Sequence, residues 1–169
     1  DDRIAAIGPA GGVAIPAGAR SVDLAGKTVI PGLFDEHAHL HYSTLDIFPQ
    51  RPWKYLANLA YGVTTTHDPS ASNQEVFGQS EMVEAGLMIG PRIFSTGFIL
   101  YGADDPGRAI VNSLDDARHH LRRMKALGAF SVKSYMQPRR EARQWIIAAA
   151  REEGMLVVSE GGGDLEMDM

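Results

Sequence analysis

Two hydrophobic patterns alternate along the chain from residue 28 onward. Short apolar or β-branched runs, typical of buried strands, lie at residues 28–35, 63–66, 91–96, 130–135 and 155–160. Segments with apolar residues at helical spacing lie between them, at residues 52–62, 72–86, 113–128 and 138–154. This alternation of strands and helices is typical of right-handed βα units around a parallel sheet.

Residues that favour helix ends support these boundaries. Pro52 suits the first turn of a helix. Ser72 with Glu75, and Ser113 with Asp116, have the spacing of a capping box. The apolar spacing predicts three buried helix faces, made by Trp53, Leu56 and Leu59; by Ala117, Leu121 and Met124; and by Trp145, Ile146, Ala149 and Ala150.

The first 27 residues have a different composition, rich in Gly, Ala and Pro. Short strands are predicted at residues 3–8 and 20–24, so residues 1–27 are interpreted as part of a small β-subdomain and residues 28–169 as a second domain. The opening residues suggest a start inside a structural element, which indicates a fragment. At the other end, residues 164–169 alternate acidic and apolar residues, a period typical of a strand.

Composition excludes several classes of function. The 169 residues include 16 Lys and Arg against 21 Asp and Glu, a net charge of −5, which argues against a nucleic-acid partner. No apolar run is long enough for a bilayer, so no membrane partner is expected, and no targeting segment indicates a compartment. The chain has no Cys, so a transition metal would be held by His, carboxylate or a modified side chain.

The pattern fits two architectures. An open, doubly wound α/β sheet suits the length, because a closed barrel needs eight βα units and about 250 residues. By that count the chain would supply roughly half of a barrel. The chemistry of the first strand favours the barrel.

The richest chemistry lies at residues 35–41, Asp-Glu-His-Ala-His-Leu-His. Residues two apart on a strand point to the same side, so His37 and His39 can face one ion from the carboxyl end of the first strand. Barrel enzymes carry their catalytic groups on that rim, and imidazole is a common metal ligand. The alternative is a pair of histidines hydrogen-bonded at a strand end.

Other polar residues near the same rim are weaker candidates. His41, His67 and Tyr101, the last in a Gly-rich loop after the third strand, are predicted to contact substrate. His119 and His120 are expected on a solvated helix face among arginines. For Asp68 and Asp164, no motif assigns the role of general base.

A family resemblance rests on residues 29–39, Val-Ile-Pro-Gly-Leu-Phe-Asp-Glu-His-Ala-His. They resemble the opening motif of the amidohydrolase superfamily, and the similarity extends through residues 62–65 and the strand that contains Lys133. The chain looks most similar to the imidazolonepropionase- and prolidase-like branch. The resemblance implies an α/β fold: about the first half of a TIM-type (β/α)8 barrel, preceded by part of a small β-subdomain.

The resemblance also implies a metal site. His37 and His39 would bind a divalent metal, often zinc in this family, as one ion or two. Lys133 matches the lysine that is commonly carboxylated and bridges two metals. Glu160 stands where the family usually has a histidine ligand. The family's sixth-strand histidine and its proton-accepting aspartate would lie beyond Met169, so the catalytic base is not assigned.

The function that the resemblance implies is hydrolysis of the C–N bond of a small-molecule amide or cyclic amide by metal-activated water. The isolated chain would be weakly active or inactive, and it is expected to self-associate through the exposed half-barrel. The alternative is a metal-free, non-enzymatic assembly or binding module that retains the motif by descent.

Overall fold

The structure, a computed structural model, describes residues 3–40, 47, 49–102, 110–137 and 139–160. The chain divides into two units, Asp1–Pro31 and Gly32–Met169. Residues 3–31 of the first unit are exposed throughout and contain no strand. The strands predicted at residues 3–8 and 20–24 are therefore wrong. A strand is held by hydrogen bonds to a neighbour, and within residues 3–31 the structure contains no such partner.

The second unit contains four helices and six strands within its described residues. They are β1 (Leu33–Asp35), α1 (Trp53–Ala60), β2 (Val63–Asp68), α2 (Asn73–Glu84), β3 (Arg92–Ser95), β4 (Leu100–Tyr101), α3 (Leu114–Ala126), β5 (Ser131–Tyr135), α4 (Arg140–Glu153) and β6 (Leu156–Glu160).

The strands form two three-stranded sheets, ordered β1-β2-β3 and β4-β5-β6. Every pairing in them is parallel. The βα alternation is thus confirmed, with one addition. The sequence predicts a single strand at residues 91–96, whereas the chain leaves β3, bends at residues 96–99 and resumes as β4 against β5.

The first strand is shorter than the predicted span of residues 28–35. Pro31 has no backbone N–H to donate to a ladder. Gly32 lies so close to Thr64 that a Cβ would collide with its side chain. The Pro-Gly pair therefore brings the chain close to β2, and regular pairing begins only at Leu33, whose N–H donates to Gly62 O at 2.8 Å.

The helices bury most of their predicted faces, with α1 as the exception. Ala117, Leu121 and Met124 on α3 are fully buried, as are Ile146, Ala149 and Ala150 on α4. On α1, however, Trp53 is 71% exposed and Tyr55 is the buried residue. The predicted α1 face is wrong because the Tyr55 ring packs against Gly90 and its hydroxyl bonds to Gln79 of α2.

The two predicted capping boxes differ. Ser113 Oγ accepts from Asp116 N at 3.1 Å, a side-chain cap for α3. Ser72 precedes α2 but makes no such bond; its hydroxyl contacts Gln74 instead. The helix start predicted at Pro138 and the strand predicted at residues 164–169 lie outside the described residues.

The core of the second unit has two parts. One lies under α1 and α2 and includes Tyr55, Val76 and Ile93. The larger one joins α3 and α4 to β5 through residues such as Leu121 and Ile146, each worth about 1.5–3 kcal/mol when fully buried. Together they fix the strand ends from which the polar side chains project. Every helix within the described ranges is too short or too polar to cross a bilayer.

Candidate metal site

The His-Ala-His segment follows β1 after a turn at residues 36–37, and its side chains alternate in burial. Ala38 and Leu40 are buried, while His37 and His39 are exposed. The two imidazole rings meet edge to face, with centroids 5.0 Å apart. The segment lies against β2, because Ala38 N donates to His67 O at 2.9 Å. His37 and His39 therefore lie on one side of the chain, as the two-residue spacing predicts.

Asp68, at the end of β2, holds the second histidine. Its Oδ1 lies 3.0 Å from His39 Nδ1 and accepts from Ser70 N at 2.8 Å. Its Oδ2 accepts from Leu40 N at 3.4 Å. The Asp68 side chain is only 2% exposed, whereas that of His39 is 45% exposed. A buried carboxylate thus holds one ring nitrogen of a half-exposed imidazole.

His67, one residue earlier, points into the interior instead. Its Nδ1 lies 3.2 Å from the Glu36 carbonyl, which can only accept, so Nδ1 carries the proton. Its Nε2, 2.8 Å from Ser131 Oγ, then accepts from that hydroxyl. Burial lowers the pKa of His67, and this outweighs the opposing effects of the bond to the Glu36 carbonyl and of the Asp68 charge. His67 links the histidine segment to β5, and its predicted contact with substrate stays a prediction.

Glu160 connects the first strand to the last two. Its Oε2 lies 2.6 Å from Lys133 Nζ and 3.2 Å from His37 Nε2. Lys133 projects from β5 and is only 3% exposed at its side chain, and Glu160 ends the adjacent β6. The structure thereby connects all four residues predicted as metal ligands, since His39 packs against His37.

The Lys133–Glu160 pair is charged. The Lys133 ammonium donates to Glu160 and holds the pKa of that carboxyl below its usual range. Met136 follows β5 with φ 44°, a region that non-glycine residues rarely occupy, and its N–H donates to Glu160 O at 3.1 Å. A strained turn at the end of β5 therefore fixes the backbone of Glu160.

Two tyrosines flank this ion pair. Lys133 Nζ lies 5.2 Å from the centre of the Tyr135 ring, and Tyr135 stacks on Tyr101 with centroids 5.6 Å apart. Tyr101 lies in β4, so its predicted place in a loop is wrong. The additional strand forms because Leu100 and Tyr101 pair with Ser134 and Tyr135 of β5. The predicted role of Tyr101 in substrate contact stays a prediction.

The donor set fits a divalent cation in its chemistry. Two imidazoles, a carboxylate and a lysine that could be carboxylated suit a zinc-type ion. Within the part of the chain that the structure describes, however, no group of three or more histidine and carboxylate side chains is arranged to hold an ion. In the arrangement described, the cation at Glu160 is the Lys133 ammonium.

The sequence indicates the two histidines, Lys133 and Glu160 as site residues, but it does not indicate the residues that position the histidines. Asp68 and Ser131 are unremarkable polar residues in the sequence. A signal for Asp68 exists in its position at the end of a β-branched strand, beside the strand that carries the histidines. His41 and Asp164 lie outside the described residues.

Comparisons with known proteins support the fold. No protein-family model and no curated protein matches the chain. Among solved structures, a protein from Bifidobacterium longum assigned as a prolidase is similar over 95% of this chain and 42% of its own, with a TM-score of 0.73 and 22% identity. A Xaa-Pro dipeptidase with bound methionine is similar over 82% of this chain and 45% of its own, with a TM-score of 0.62 and 23% identity.

A third solved structure, the bottromycin amidohydrolase, is similar over 75% of this chain and 27% of its own, with a TM-score of 0.63 and 20% identity. The chain thus spans less than half of the length of these structures. The expected α/β fold with parallel strands is confirmed for the second unit, and it is similar to part of each of these structures.

Proposed function

We propose that this chain carries part of the active site of a metal-dependent hydrolase that cleaves the C–N bond of a small-molecule amide or cyclic amide. The observation that carries the proposal is the contact of Glu160 with both His37 and Lys133, together with His39 against His37. These side chains come from the segment after β1, from the middle of β5 and from the end of β6. The prolidase, dipeptidase and amidohydrolase names of the similar structures agree with this class of reaction.

His37, His39 and Glu160 would hold the ion, and Lys133 would join them as a carbamate. When bound, a divalent ion such as zinc lowers the pKa of water and polarises a carbonyl. Glu160 is suited to this role because carboxylate oxygens are ordinary ligands of zinc. Lys133 has a second role in the metal-free chain, where its ammonium neutralises Glu160.

Residues around the ion pair would exclude water and orient substrate. The buried Lys133 stem, the Tyr135 ring and the stacked Tyr101 ring form an aromatic and aliphatic wall beside Glu160. An amide substrate with an apolar group next to the scissile bond suits such a wall. His41, His67 and Tyr101 stay the proposed substrate contacts, and the general base is not assigned to any residue of this chain.

One observation favours the second candidate, a metal-free binding or assembly module. Glu160 has nitrogen neighbours without an ion, because Lys133 and His37 both contact its Oε2. A site retained only by descent would keep this ion pair. Metal content separates the two candidates, since only the hydrolase needs an ion at His37 and His39.

The test is elemental analysis of the 169-residue chain purified without chelator. The test variant is His37→Ala/His39→Ala, and the matched control is His119→Ala/His120→Ala, which removes an adjacent histidine pair from α3. We expect about one zinc-type ion per chain in the wild type and the control, and none in the test variant. A wild-type chain without metal would overturn the hydrolase proposal in favour of the metal-free module. Equal metal in all three proteins would also overturn it, because the ion would then be bound by residues other than His37 and His39.

A further inference from the structure

Asp68 is positioned to decide which nitrogen of His39 is free. A neutral imidazole carries its proton on one nitrogen and a lone pair on the other, and the hydrogen bond made by one nitrogen fixes the state of the other. Oδ1 of Asp68 lies 3.0 Å from His39 Nδ1. Where the carboxylate oxygen is the acceptor in this contact, the proton lies on Nδ1.

Two backbone N–H groups hold the Asp68 carboxylate in its contact with His39. Its oxygens accept the backbone N–H groups of Ser70 and Leu40, on both sides of the contact with His39. Asp68 itself belongs to β2, the middle strand of its sheet, and pairs with Ser95. A buried acceptor fixed by backbone donors is more rigid than the half-exposed ring that it orients.

The neighbouring histidine presents the same nitrogen. His37 Nε2, not Nδ1, contacts Glu160 at 3.2 Å. With Nδ1 of His39 held by Asp68, both rings would offer Nε2 to an ion beside Glu160. Metal-bound histidines almost always donate their other N–H to a carboxylate, carbonyl or water, and loss of that partner lowers metal affinity about 10–100-fold.

We infer that Asp68 is a positioning residue: it fixes His39 as the Nδ1–H tautomer and so keeps Nε2 free to bind a metal ion. The inference rests on the proposed function, because only a metal site gives the free Nε2 a role. The tautomer itself can be tested in the metal-free chain. In this arrangement, the Asp68 carboxylate at the end of β2 orients the His39 ring after β1. This arrangement also explains why a charged side chain is buried next to an exposed ring.

The test reads the tautomer directly in the metal-free chain. Long-range ¹⁵N–¹H correlation spectra at about pH 9, well above the usual histidine range, distinguish Nδ1–H from Nε2–H. A His39→Gln variant identifies the His39 signals. The test variants are Asp68→Ala and Asp68→Asn, and Asp115→Asn is the matched control, because its carboxylate is exposed and bonds only to Arg118 among described contacts.

We expect Nδ1–H at His39 in the wild type and in Asp115→Asn. Asp68→Ala should move the population towards Nε2–H. Asp68→Asn should move it part of the way, because an amide oxygen is a weaker acceptor than a carboxylate; this variant also serves if Asp68→Ala does not fold. An Nε2–H wild type, or a His39 spectrum that Asp68→Asn leaves unchanged, would overturn the inference.

Zinc titration separates this inference from the proposed function. If the wild type binds zinc, Asp68→Asn should bind it about 10–100-fold more weakly, and Asp115→Asn should bind it as the wild type does. Equal affinity in Asp68→Asn would overturn the inference while the proposed function stands. A wild type with the expected tautomer that binds no zinc would overturn the proposed function instead.

Discussion

Burial decides the protonation of His67, which the sequence leaves open. The ring is 5% exposed and both of its nitrogens are engaged, Nδ1 with Glu36 O and Nε2 with Ser131 Oγ. A second proton on Nε2 would remove the acceptor for Ser131. The folded chain therefore favours neutral His67, and the lowered pKa has a consequence for stability.

Acidification should lower the free energy of unfolding in a window that starts at the usual histidine pKa of about 6.5. The unfolded chain binds the proton first, so stability is present above this pH and is lost as pH falls towards the lowered pKa of folded His67. Burial lowers the pKa of His120 as well, so this residue contributes in the same direction.

Urea unfolding from neutral to mildly acidic pH measures this effect in the wild type, His67→Gln and His120→Gln. Each variant should lose part of the pH dependence in the histidine window, and the double variant His67→Gln/His120→Gln should lose more of it than either single variant. The shift of Glu160 acts in a separate window, below the usual glutamate pKa of about 4.3. A wild type with constant stability over the histidine window would contradict the assignment.

Carboxylation of Lys133 should depend on a bound cation. A carbamate would replace the Lys133 ammonium with a negative charge beside the Glu160 carboxylate, 2.6 Å away in the present contact. Two like charges at that distance are unfavourable unless a cation bridges them. We therefore expect a carbamate signal in ¹³C-bicarbonate NMR only after zinc is added.

Lys133→Arg is the control for that experiment, because its guanidinium keeps the positive charge and forms no carbamate. It should give no signal with or without zinc. A carbamate signal in the metal-free wild type would contradict the coupling of carboxylation to the ion.

At the scale of the candidate site, the sequence predicts donors but not their partners. His37 and His39 are found because a two-residue spacing carries directional information on a strand. Asp68 and Ser131 are not, because their roles depend on contacts 29 and 64 residues away in the chain. Such contacts follow from which strands are neighbours, and local pattern does not contain that information.

Helices α2 and α3 show what the spacing of a serine and an acidic residue can predict about the start of a helix. Both are preceded by a serine with an acidic residue three positions later, yet only Ser113 caps its helix through its side chain. The Asp116 carboxylate in turn bonds to the Ser113 side chain and accepts from Asn112 N, and both bonds lower the pKa of Asp116. The spacing therefore predicts where each helix begins, but it does not predict whether the serine side chain makes a capping bond.

Ser113→Ala should lower the free energy of unfolding by about 1 kcal/mol, the usual value for a lost N-cap. Ser72→Ala is the matched comparison and should change it by only a few tenths of that, because the Ser72 hydroxyl makes no capping bond. Urea denaturation followed by circular dichroism measures both. Equal losses in the two variants would contradict the difference in capping.

The βα alternation was predictable because each strand is a short apolar run and each helix has an apolar face. The face of α1 was not, since Tyr55 gains a hydrogen bond to Gln79 that periodicity cannot show. The division of residues 92–101 into β3 and β4 was missed because one stretch of chain serves two sheets. Tertiary contacts decide both cases.

On the scale of the whole molecule, the two described sheets have four edge strands, β1, β3, β4 and β6. β1 pairs only with β2, and β6 pairs only with β5, within the described parts of the chain. Leu33 and Phe34 on β1 are about half exposed, and Leu156 on β6 is 64% exposed. Unpaired strand edges with exposed apolar side chains favour association.

We therefore expect the 169-residue chain to self-associate at micromolar concentration. Leu156→Lys, which places a charge on the β6 edge, should reduce the mass measured by multi-angle light scattering. Leu127→Lys is the control, because it exchanges an exposed leucine at the end of α3, which belongs to no strand. A wild-type chain that is monomeric under these conditions would contradict the expectation.

The proposed function depends on an ion held by side chains from the segment after β1, from β5 and from β6. Zinc-edge X-ray absorption of the zinc-loaded chain tests this most directly, because it reports the ligand shell itself. We predict imidazole scattering from two histidines at about 2.0–2.1 Å together with oxygen ligands, and loss of the imidazole scattering in His37→Ala/His39→Ala. A shell of oxygens without imidazole, or histidine scattering that persists in the double variant, would contradict it.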